Sequence, residues 1–296
     1  MIINDYINVS DERLLDGLSQ VVRIMLKVEA SKDDNVIIDL SRTKFITPVF
    51  ALSLLLYLYG CGKQVTLQNV PEYLEMMGVR SGGIKPDQMR KTEFLAAMEK
   101  YSLKRYIPII DFAAGKNDDD QETISTVVEN IIIRQLNIQP NVATGLKYMV
   151  EEALDNITEH SESDRGYIFA QAYPSKGYLD ICIADRGVTL LGSYKKLPDN
   201  EIESDNEAIK AANRGISSKN LPDAENRGYG IQTSKRMLVE GLGGQYLMIS
   251  GSCLYVKSTG LDNVYNMPNG LRWNGTLVAL RIPYDSSNFN YVKYVE

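Results

Sequence analysis

One stretch of the chain, EEALDNITEHS, carries a carboxylate and an amide at a spacing that could serve a metal ion. Glu152 and Asn156 are four residues apart, so in a helix they share one face, opposite Ala153, Leu154 and Ile157. Such oxygen ligands suit Mg²⁺, which usually keeps several waters and completes its shell with substrate phosphates. A solvated acidic helix face would show the same pattern, so this stretch alone leaves both interpretations open.

His160 follows one turn later and is the single histidine of the chain. A Ser-His-Asp hydrolase or a multi-histidine metal site would have to be built around this residue alone. The count excludes any mechanism that needs both a phosphoacceptor histidine and a second functional histidine.

A second candidate lies after the apolar strand predicted at residues 178–184, where Asp185 precedes a turn at Gly187. A carboxylate at a strand end, beside a glycine that admits close approach, can accept a hydrogen bond from a ligand amine. An Asx-type turn would have the same sequence.

Two further segments contain glycine at a predicted element boundary. Gly228 and Gly230 precede a predicted helix, whose first N–H groups favour a phosphate, although ordinary turns often contain such a pair. Gly275 and Thr276 open a predicted strand and indicate nothing by themselves.

In this order and spacing, the four segments resemble the motifs of the GHKL superfamily of Bergerat-fold ATPases. That superfamily includes histidine kinases, gyrase-type ATPases and anti-sigma-factor serine kinases. Residues 152–160 match the E-x-x-x-N-x-x-x-H motif, 185–189 the D-x-G-x-G motif, 228–230 the G-x-G motif and 275–276 the last motif. The chain is most similar to the anti-sigma-factor type, because the first motif ends in histidine and no dimerisation and phosphotransfer helix pair is recognisable.

The resemblance implies roles for the matching residues. Glu152 would be the general base that orients water or an acceptor hydroxyl, and Asn156 would coordinate Mg²⁺. Asp185 would bind the adenine amino group. The remaining matches would contact the rest of the nucleotide: Gly187 by admitting the adenine, Gly228 and Gly230 along the phosphates, and Thr276 through a water network at the adenine.

The sequence departs from the family pattern at Thr189, where a second glycine is expected. Residues 189–227 are poorly patterned and match the ATP lid of the family. Five cations in this stretch could reach phosphates, although each one alone is typical of a solvated surface charge: Lys195, Lys196, Arg214, Lys219 and Arg227.

Residues 1–84 show a different pattern, in which strands alternate with helices over short loops. Strands are predicted at 36–40 and 63–70, and helices at 11–29, at 48–59 and from Pro71 to near Gly78. This order implies parallel strands with right-handed crossovers. The stretch from VIIDLS to MMGV resembles a STAS domain, the anti-anti-sigma-factor fold.

The phosphorylatable serine of that family sits at the start of the long helix. Here the position holds Pro48, which has no hydroxyl. Thr47 precedes it and is predicted to cap the helix through its side chain rather than to accept phosphate.

The predicted fold class is therefore α/β and α+β. A STAS-like α/β domain at 1–84 is followed by a connector at 85–103, which would carry an interdomain contact or a hinge. Residues 104–296 would form a Bergerat-fold α/β sandwich, with a mixed, mostly antiparallel sheet and helices on one face.

Composition limits the alternatives. The 296 residues carry a net charge of −6, which argues against a general nucleic-acid binder. The three cysteines lack CxxC spacing, no apolar stretch is long enough to span a bilayer, and the first residues lack the basic start of a signal peptide. We therefore expect a cytoplasmic protein with no membrane contact.

The predicted function is Mg²⁺-dependent ATP binding with slow hydrolysis, or phosphate transfer to a serine or threonine of a partner protein. The STAS-like domain would serve as a docking or regulatory module. The alternative is a non-catalytic, nucleotide-responsive protein-binding module, and a third possibility is an ATP-gated homodimer. A conventional histidine autokinase is disfavoured.

Overall fold

The computed structural model describes residues 1–10, 12–114, 118–136, 138–198, 200–218, 229–284 and 289–295. Within these ranges, the side chains of 118–121, 160 and 229 are not described. Of the predicted site residues, Gly228 lies outside the described part of the chain.

The first 84 residues contain a small parallel sheet with helices, as predicted. The strands are β1 (Ile2–Ile3), β2 (Ile7–Asn8), β3 (Asn35–Asp39), β4 (Thr43–Phe45) and β5 (Gln64–Gln68). The helices are α1 (Leu14–Ala30), α2 (Pro48–Gly60) and α3 (Glu72–Met76). Strands β1, β3 and β5 pair in parallel, and β4 pairs with β2 in a stretch for which the sequence indicated only a loop.

Helix α2 is apolar on every side, and residues 48–56 are all buried. Pro48 lies in the first turn. A backbone N–H at that position has no acceptor within the helix, so proline costs no hydrogen bond there. The side chain of Thr47 accepts a hydrogen bond from the N–H of Phe50 at 3.4 Å, which confirms the predicted cap. Gly17 of α1 lies against this cap, since a β-carbon there would be 2.5 Å from Thr47 Oγ1.

The remainder of the chain forms a seven-stranded antiparallel sheet with helices. Its strands are β6 (Tyr106–Ala113), β7 (Arg165–Tyr173), β8 (Tyr178–Asp185), β9 (Gln245–Gly251), β10 (Cys253–Ser258), β11 (Leu261–Asn266) and β12 (Trp273–Pro283), in the order β11-β10-β9-β12-β8-β7-β6. The helices are α4 (Lys91–Glu99), α5 (Asp118–Leu136), α6 (Pro140–His160), α7 (Leu190–Tyr194), α8 (Asp205–Asn213), α9 (Tyr229–Arg236) and α10 (Val292–Val295). A π-helical turn, Met237–Gly241, extends α9.

Two sequence expectations for this region need correction. Strand β11 was not predicted, because its alternation of apolar and polar residues is weak and it lies at the sheet edge. The poorly patterned stretch that matches the ATP lid contains helices α7 and α8, which were not predicted. A Ser204 and Glu207 capping box begins α8, and this signal is present in the sequence.

Both faces of the large sheet are covered. Helices α5 and α6 pack on one face, where Val128 and Leu146 join Ile168 and Ile181 in one buried cluster. Helices α1 and α2 pack on the other face and share a second cluster with its side chains, Phe169 among them. The helices of residues 104–296 thus pack on one face of the sheet, as predicted. The other face, for which no cover was predicted, is covered by α1 and α2.

A buried ion pair anchors α1 to the large sheet. Arg281 is 3% exposed and donates to the two carboxylate oxygens of Asp180 at 2.7 and 2.8 Å. Its remaining terminal nitrogen donates to the carbonyl of Glu12 at 2.7 Å, just before α1. Gln245 accepts a hydrogen bond from the N–H of Leu14 through its side chain at 3.2 Å. Polar groups therefore fix the position of α1 on the sheet.

The residue that directly precedes the connector is also attached to the sheet. The N–H of Ile84 donates to the carbonyl of Ile109 at 2.8 Å, and the N–H of Asp111 donates back to Ile84 at 2.8 Å. The main contact between the two parts of the chain lies on α1 and α2 rather than on residues 85–103. Among the described helices, none has the length and apolar character needed to cross a membrane.

Candidate functional site

Asp185 occupies the end of β8 and is a buried carboxylate. The residue is 3% exposed. Its Oδ1 accepts the N–H of Gly187 at 2.8 Å and its Oδ2 accepts the N–H of Thr276 at 3.1 Å. Burial raises the pKa of Asp185 to about 7, although both hydrogen bonds act in the opposite direction. The site therefore holds a carboxyl group that changes charge near neutral pH.

The backbone around Gly275 is shaped to fit this carboxylate. Strand β12 shifts its register against β9 between Trp273 and Thr276, and Gly275 has a φ of +80°. A β-carbon at Gly275 would be 2.5 Å from Asp185 Oδ1. A bulge with glycine at positive φ thus lets β12 approach Asp185 at the end of β8.

Ser250, at the end of β9, is a site residue that sequence reasoning missed. Its hydroxyl donates to the carbonyl of Gly275 at 3.0 Å, accepts the N–H of Leu190 at 2.9 Å and lies 3.3 Å from Thr276 Oγ1. It thereby connects β9 and β12 to the first residue of α7. No motif in the sequence marks this serine, because its partners come from distant segments.

The resemblance implied that Gly187 admits the adenine, but in the structure Gly187 lies against the end of α6. A β-carbon there would be 1.7 Å from the carbonyl oxygen of Ser161, and the next N–H, of Val188, donates to that oxygen at 2.6 Å. Glycine is required at this position by the end of α6. Gly187 does not line the cavity described below, whereas Val188 does.

Helix α6 brings Glu152 and Asn156 to the same side, as the spacing predicted. The Asn156 side chain donates from Nδ2 to the carbonyl of Glu152 at 2.5 Å. Tyr148 lies one turn earlier, and burial, together with the nearby Glu152 carboxylate, raises its pKa to about 12. Gly230, on α9, lies against the same carboxylate.

A cavity of about 280 Å³ connects these groups. Five of the predicted residues line it, namely Glu152, Asn156, Asp185, Gly230 and Thr276. Apolar side chains from α6 and the sheet form much of the remaining wall: Met149, Ile183, Met248, Val278 and Leu280. The cavity thus combines an apolar region beside Asp185 with a polar region beside Glu152, a common arrangement for a small-molecule site.

The segment after Asp185 closes one side of the cavity. Leu190, Ser193 and Tyr194 of α7 line it, together with residues 216–218. Helix α8 is held in place by Asp205, whose Oδ2 accepts the N–H of Ser252 at 3.0 Å and its hydroxyl at 2.8 Å. This part of the expected lid is therefore structured and attached to the sheet.

The cations expected to reach phosphates do not line the cavity where they are described. Lys196 pairs with Glu162, and neither Lys195 nor Arg214 is among the lining residues. Lys219 and Arg227 lie outside the described residues.

No three acidic, histidine or cysteine side chains group into a metal site within the described ranges. Glu152 and Asn156 offer two oxygen-bearing side chains on one helix face. Because Asn156 Nδ2 donates to a backbone carbonyl of α6, the amide oxygen of Asn156 is the atom oriented away from the backbone. The pair fits an Mg²⁺ ion that takes its other ligands from water and phosphate, and does not fit an all-protein cage.

A scan against protein-family models gives no match for this chain, and a search of curated proteins gives no significant match. The functional assignment therefore depends on the geometry of the cavity.

Proposed function

We propose that this chain binds ATP with Mg²⁺ in the cavity between α6, α7, α9 and the large sheet, in the manner expected of a GHKL-type protein. Slow hydrolysis, or phosphate transfer to a serine or threonine of a partner protein, is the proposed reaction. The observation that carries the proposal is Asp185, a buried carboxylate held by two backbone N–H groups at the apolar end of the cavity.

The geometry of Asp185 supports an adenine site. Both hydrogen bonds come from the backbone, so among the described residues the carboxylate is oriented without a cationic partner. A carboxylate in apolar surroundings gains most from a ligand that supplies an N–H donor together with a flat apolar body. The amino group and ring of adenine have this combination.

The other end of the cavity supports a phosphate and metal position. Asn156 and Glu152 would hold Mg²⁺ together with the phosphates, and the ion would neutralise charge on the transferred phosphoryl group. Gly230 lies in the first turn of α9, and the first N–H groups of a helix favour an anion.

Glu152 supports a catalytic role. It lines the cavity, where its carboxylate interacts with the Tyr148 hydroxyl one turn earlier on α6. A carboxylate held in this way can accept a proton from an attacking water or hydroxyl group.

The proposed docking role of the N-terminal region is restricted by the fold. Helices α1 and α2 bury their apolar sides within the chain. A protein partner would therefore contact the small sheet or the outer side of α1 rather than α2.

Calorimetric titration of the full chain with ATP and Mg²⁺ tests the proposal. We expect saturable binding, a melting temperature that rises with nucleotide concentration, and weaker binding by Asp185→Asn. Asp164→Asn, at an exposed aspartate, is the matched control. The absence of any adenine-nucleotide binding at millimolar concentration would refute the proposal. Binding without turnover would instead identify the chain as a non-catalytic, nucleotide-responsive module.

A further inference from the structure

A second cleft, of about 140 Å³, lies where the end of α2 meets the large sheet. Residues 60–62 form one side, and Arg186 and Arg272 belong to the other. We propose that this cleft binds a small oxyanion, a phosphate or a carboxylate, and that its occupancy alters nucleotide binding in the neighbouring cavity. The second part rests on the proposed function, whereas the first part does not.

Arg186 is positioned for an anion. Its guanidinium donates to the carbonyl of Tyr59 at 2.9 Å, lies 5.0 Å from the centre of the Tyr59 ring and interacts with the Tyr167 hydroxyl. These partners are all neutral, so its positive charge is held in place without being neutralised by them. A guanidinium fixed in this way loses little conformational entropy when it binds an oxyanion.

The second arginine and its neighbour add further donors. Arg272 is 57% exposed and pairs with Asp205 at 3.0 Å through one terminal nitrogen. Trp273 also lines the cleft, and its indole N–H is buried without a hydrogen-bond partner in the described structure. A buried unpaired donor of this kind calls for a water or ion nearby.

One acidic side chain also lines the cleft. Glu29 accepts a hydrogen bond from the Tyr57 hydroxyl at 2.7 Å. The formal charge of the lining is still positive, since two arginines face one glutamate. A small anion therefore suits the arginine side of the cleft.

The cleft is connected to the nucleotide cavity through the backbone, although no residue lines both. Arg186 directly follows Asp185, and Asn274, another lining residue, directly precedes Gly275. Arg272 contacts Asp205, which anchors α8. An anion that draws the two arginines together would thus act on the backbone beside Asp185 and on the α8 anchor.

Gly62 provides a sharp test because nothing lies within 4 Å of a β-carbon built there. Gly62→Asp adds a negative charge to the cleft, and Gly62→Asn adds a side chain of the same shape without the charge. Calorimetry without nucleotide would use inorganic phosphate and acetate in separate titrations. We expect millimolar binding of at least one anion, weakened about tenfold or more in Gly62→Asp and little changed in Gly62→Asn. The preferred anion identifies the oxyanion class.

Arg272→Gln should also weaken anion binding, whereas Arg134→Gln should not, since Arg134 is equally exposed at 58% and pairs with Glu99 elsewhere. No binding of either anion, or equal binding by both Gly62 variants, would overturn the site. The coupling is then tested by titrating ATP and Mg²⁺ with and without the anion. An unchanged nucleotide affinity would overturn the coupling alone, and a chain that binds the anion but no nucleotide would refute only the proposed function.

Discussion

Gly230 lies so close to Glu152 that a β-carbon at position 230 would be 1.6 Å from Glu152 Oε2. The obstructing atom is the end of a flexible side chain, so Gly230→Ala would displace the carboxylate rather than the backbone. Alanine also favours a helix over glycine by about 1 kcal/mol. We therefore expect Gly230→Ala to keep or raise the melting temperature while ATP turnover falls on the order of 10²–10⁴-fold, as in Glu152→Gln.

Glu151→Gln is the control for this prediction, because Glu151 is the adjacent carboxylate of α6, pairs with Lys147 and does not line the cavity. Steady-state hydrolysis and thermal unfolding, measured on the same preparations, separate the two effects. Undiminished turnover in both Gly230→Ala and Glu152→Gln would show that Glu152 is not the base.

Nucleotide affinity should rise with pH through neutrality. An adenine amino group donates to an ionised carboxylate, and the pKa of Asp185 is raised to about 7 by burial. Below that pH, binding must first remove a proton, so affinity decreases. Asp185→Asn should lose affinity by about 1.5–3 kcal/mol at pH 8. Titrations with adenosine, which carries no phosphate to ionise, isolate the contribution of Asp185; a flat pH profile for the wild-type chain would contradict the assignment.

The same pKa shift has a consequence for stability without ligand. The folded chain holds the Asp185 proton more tightly than the unfolded chain, whose carboxyl has its ordinary pKa. The contribution of Asp185 to the free energy of unfolding is therefore fully present at pH values below the pKa that its carboxyl has in the unfolded chain. It is lost as the pH rises toward 7. Urea unfolding at several pH values should show this loss in the wild-type chain and not in Asp185→Asn.

Asp180→Ala should be strongly destabilising. It would leave the Arg281 guanidinium buried between α1 and the sheet without its carboxylate. Breaking a buried pair in this way costs about 3–5 kcal/mol, against about 1 kcal/mol or less for an exposed pair. Chemical denaturation measures the difference, with Glu99→Ala in the exposed Arg134 pair as control. Similar effects for the two variants would show that the buried pair does not anchor α1.

A fragment of residues 104–296 should not remain soluble by itself. Removing α1 and α2 would expose apolar side chains of the large sheet, including Phe169, Leu247, Ile249 and Leu277. An apolar patch of this kind promotes association. Size-exclusion chromatography of the fragment should show aggregates, and a well-folded monomer would demonstrate that the N-terminal region is dispensable for the fold.

Thr47 should not accept phosphate in the folded protein. It is 2% exposed, and its hydroxyl caps α2 against Gly17. Thr47→Val, which keeps the shape and removes the cap, should cost about 1 kcal/mol. Denaturation of this variant measures the cap, and mass spectrometry of the protein after incubation with ATP and Mg²⁺ checks for phosphate. Phosphothreonine at this position would contradict the purely structural role.

The local sequence determined much of this architecture. The apolar run after Pro48 and the i, i+4 spacing of Glu152 and Asn156 are periodic signals, so helices α2 and α6 and the shared face of the two polar residues could be predicted. Helix α8 was missed although Ser204 and Glu207 mark its start. Strand β11 gave little signal because an edge strand with both faces partly exposed needs no regular alternation.

Only the tertiary structure decided how these parts fit together. Gly187 lies against the carbonyl of Ser161, and Gly230 lies against the carboxylate of Glu152. The Ser250 hydroxyl donates to the carbonyl of Gly275. Each of these contacts joins separate segments of the chain. The burial of Asp185, and hence its pKa near neutrality, depends on its position between β7 and β12 in the sheet. Likewise, the apolar surface of α2 showed that it would be buried, but not that the large sheet would cover it. Hydrophobic patterning specifies which side of an element is buried, whereas its partner is selected by shape and by buried polar pairs such as Asp180 and Arg281.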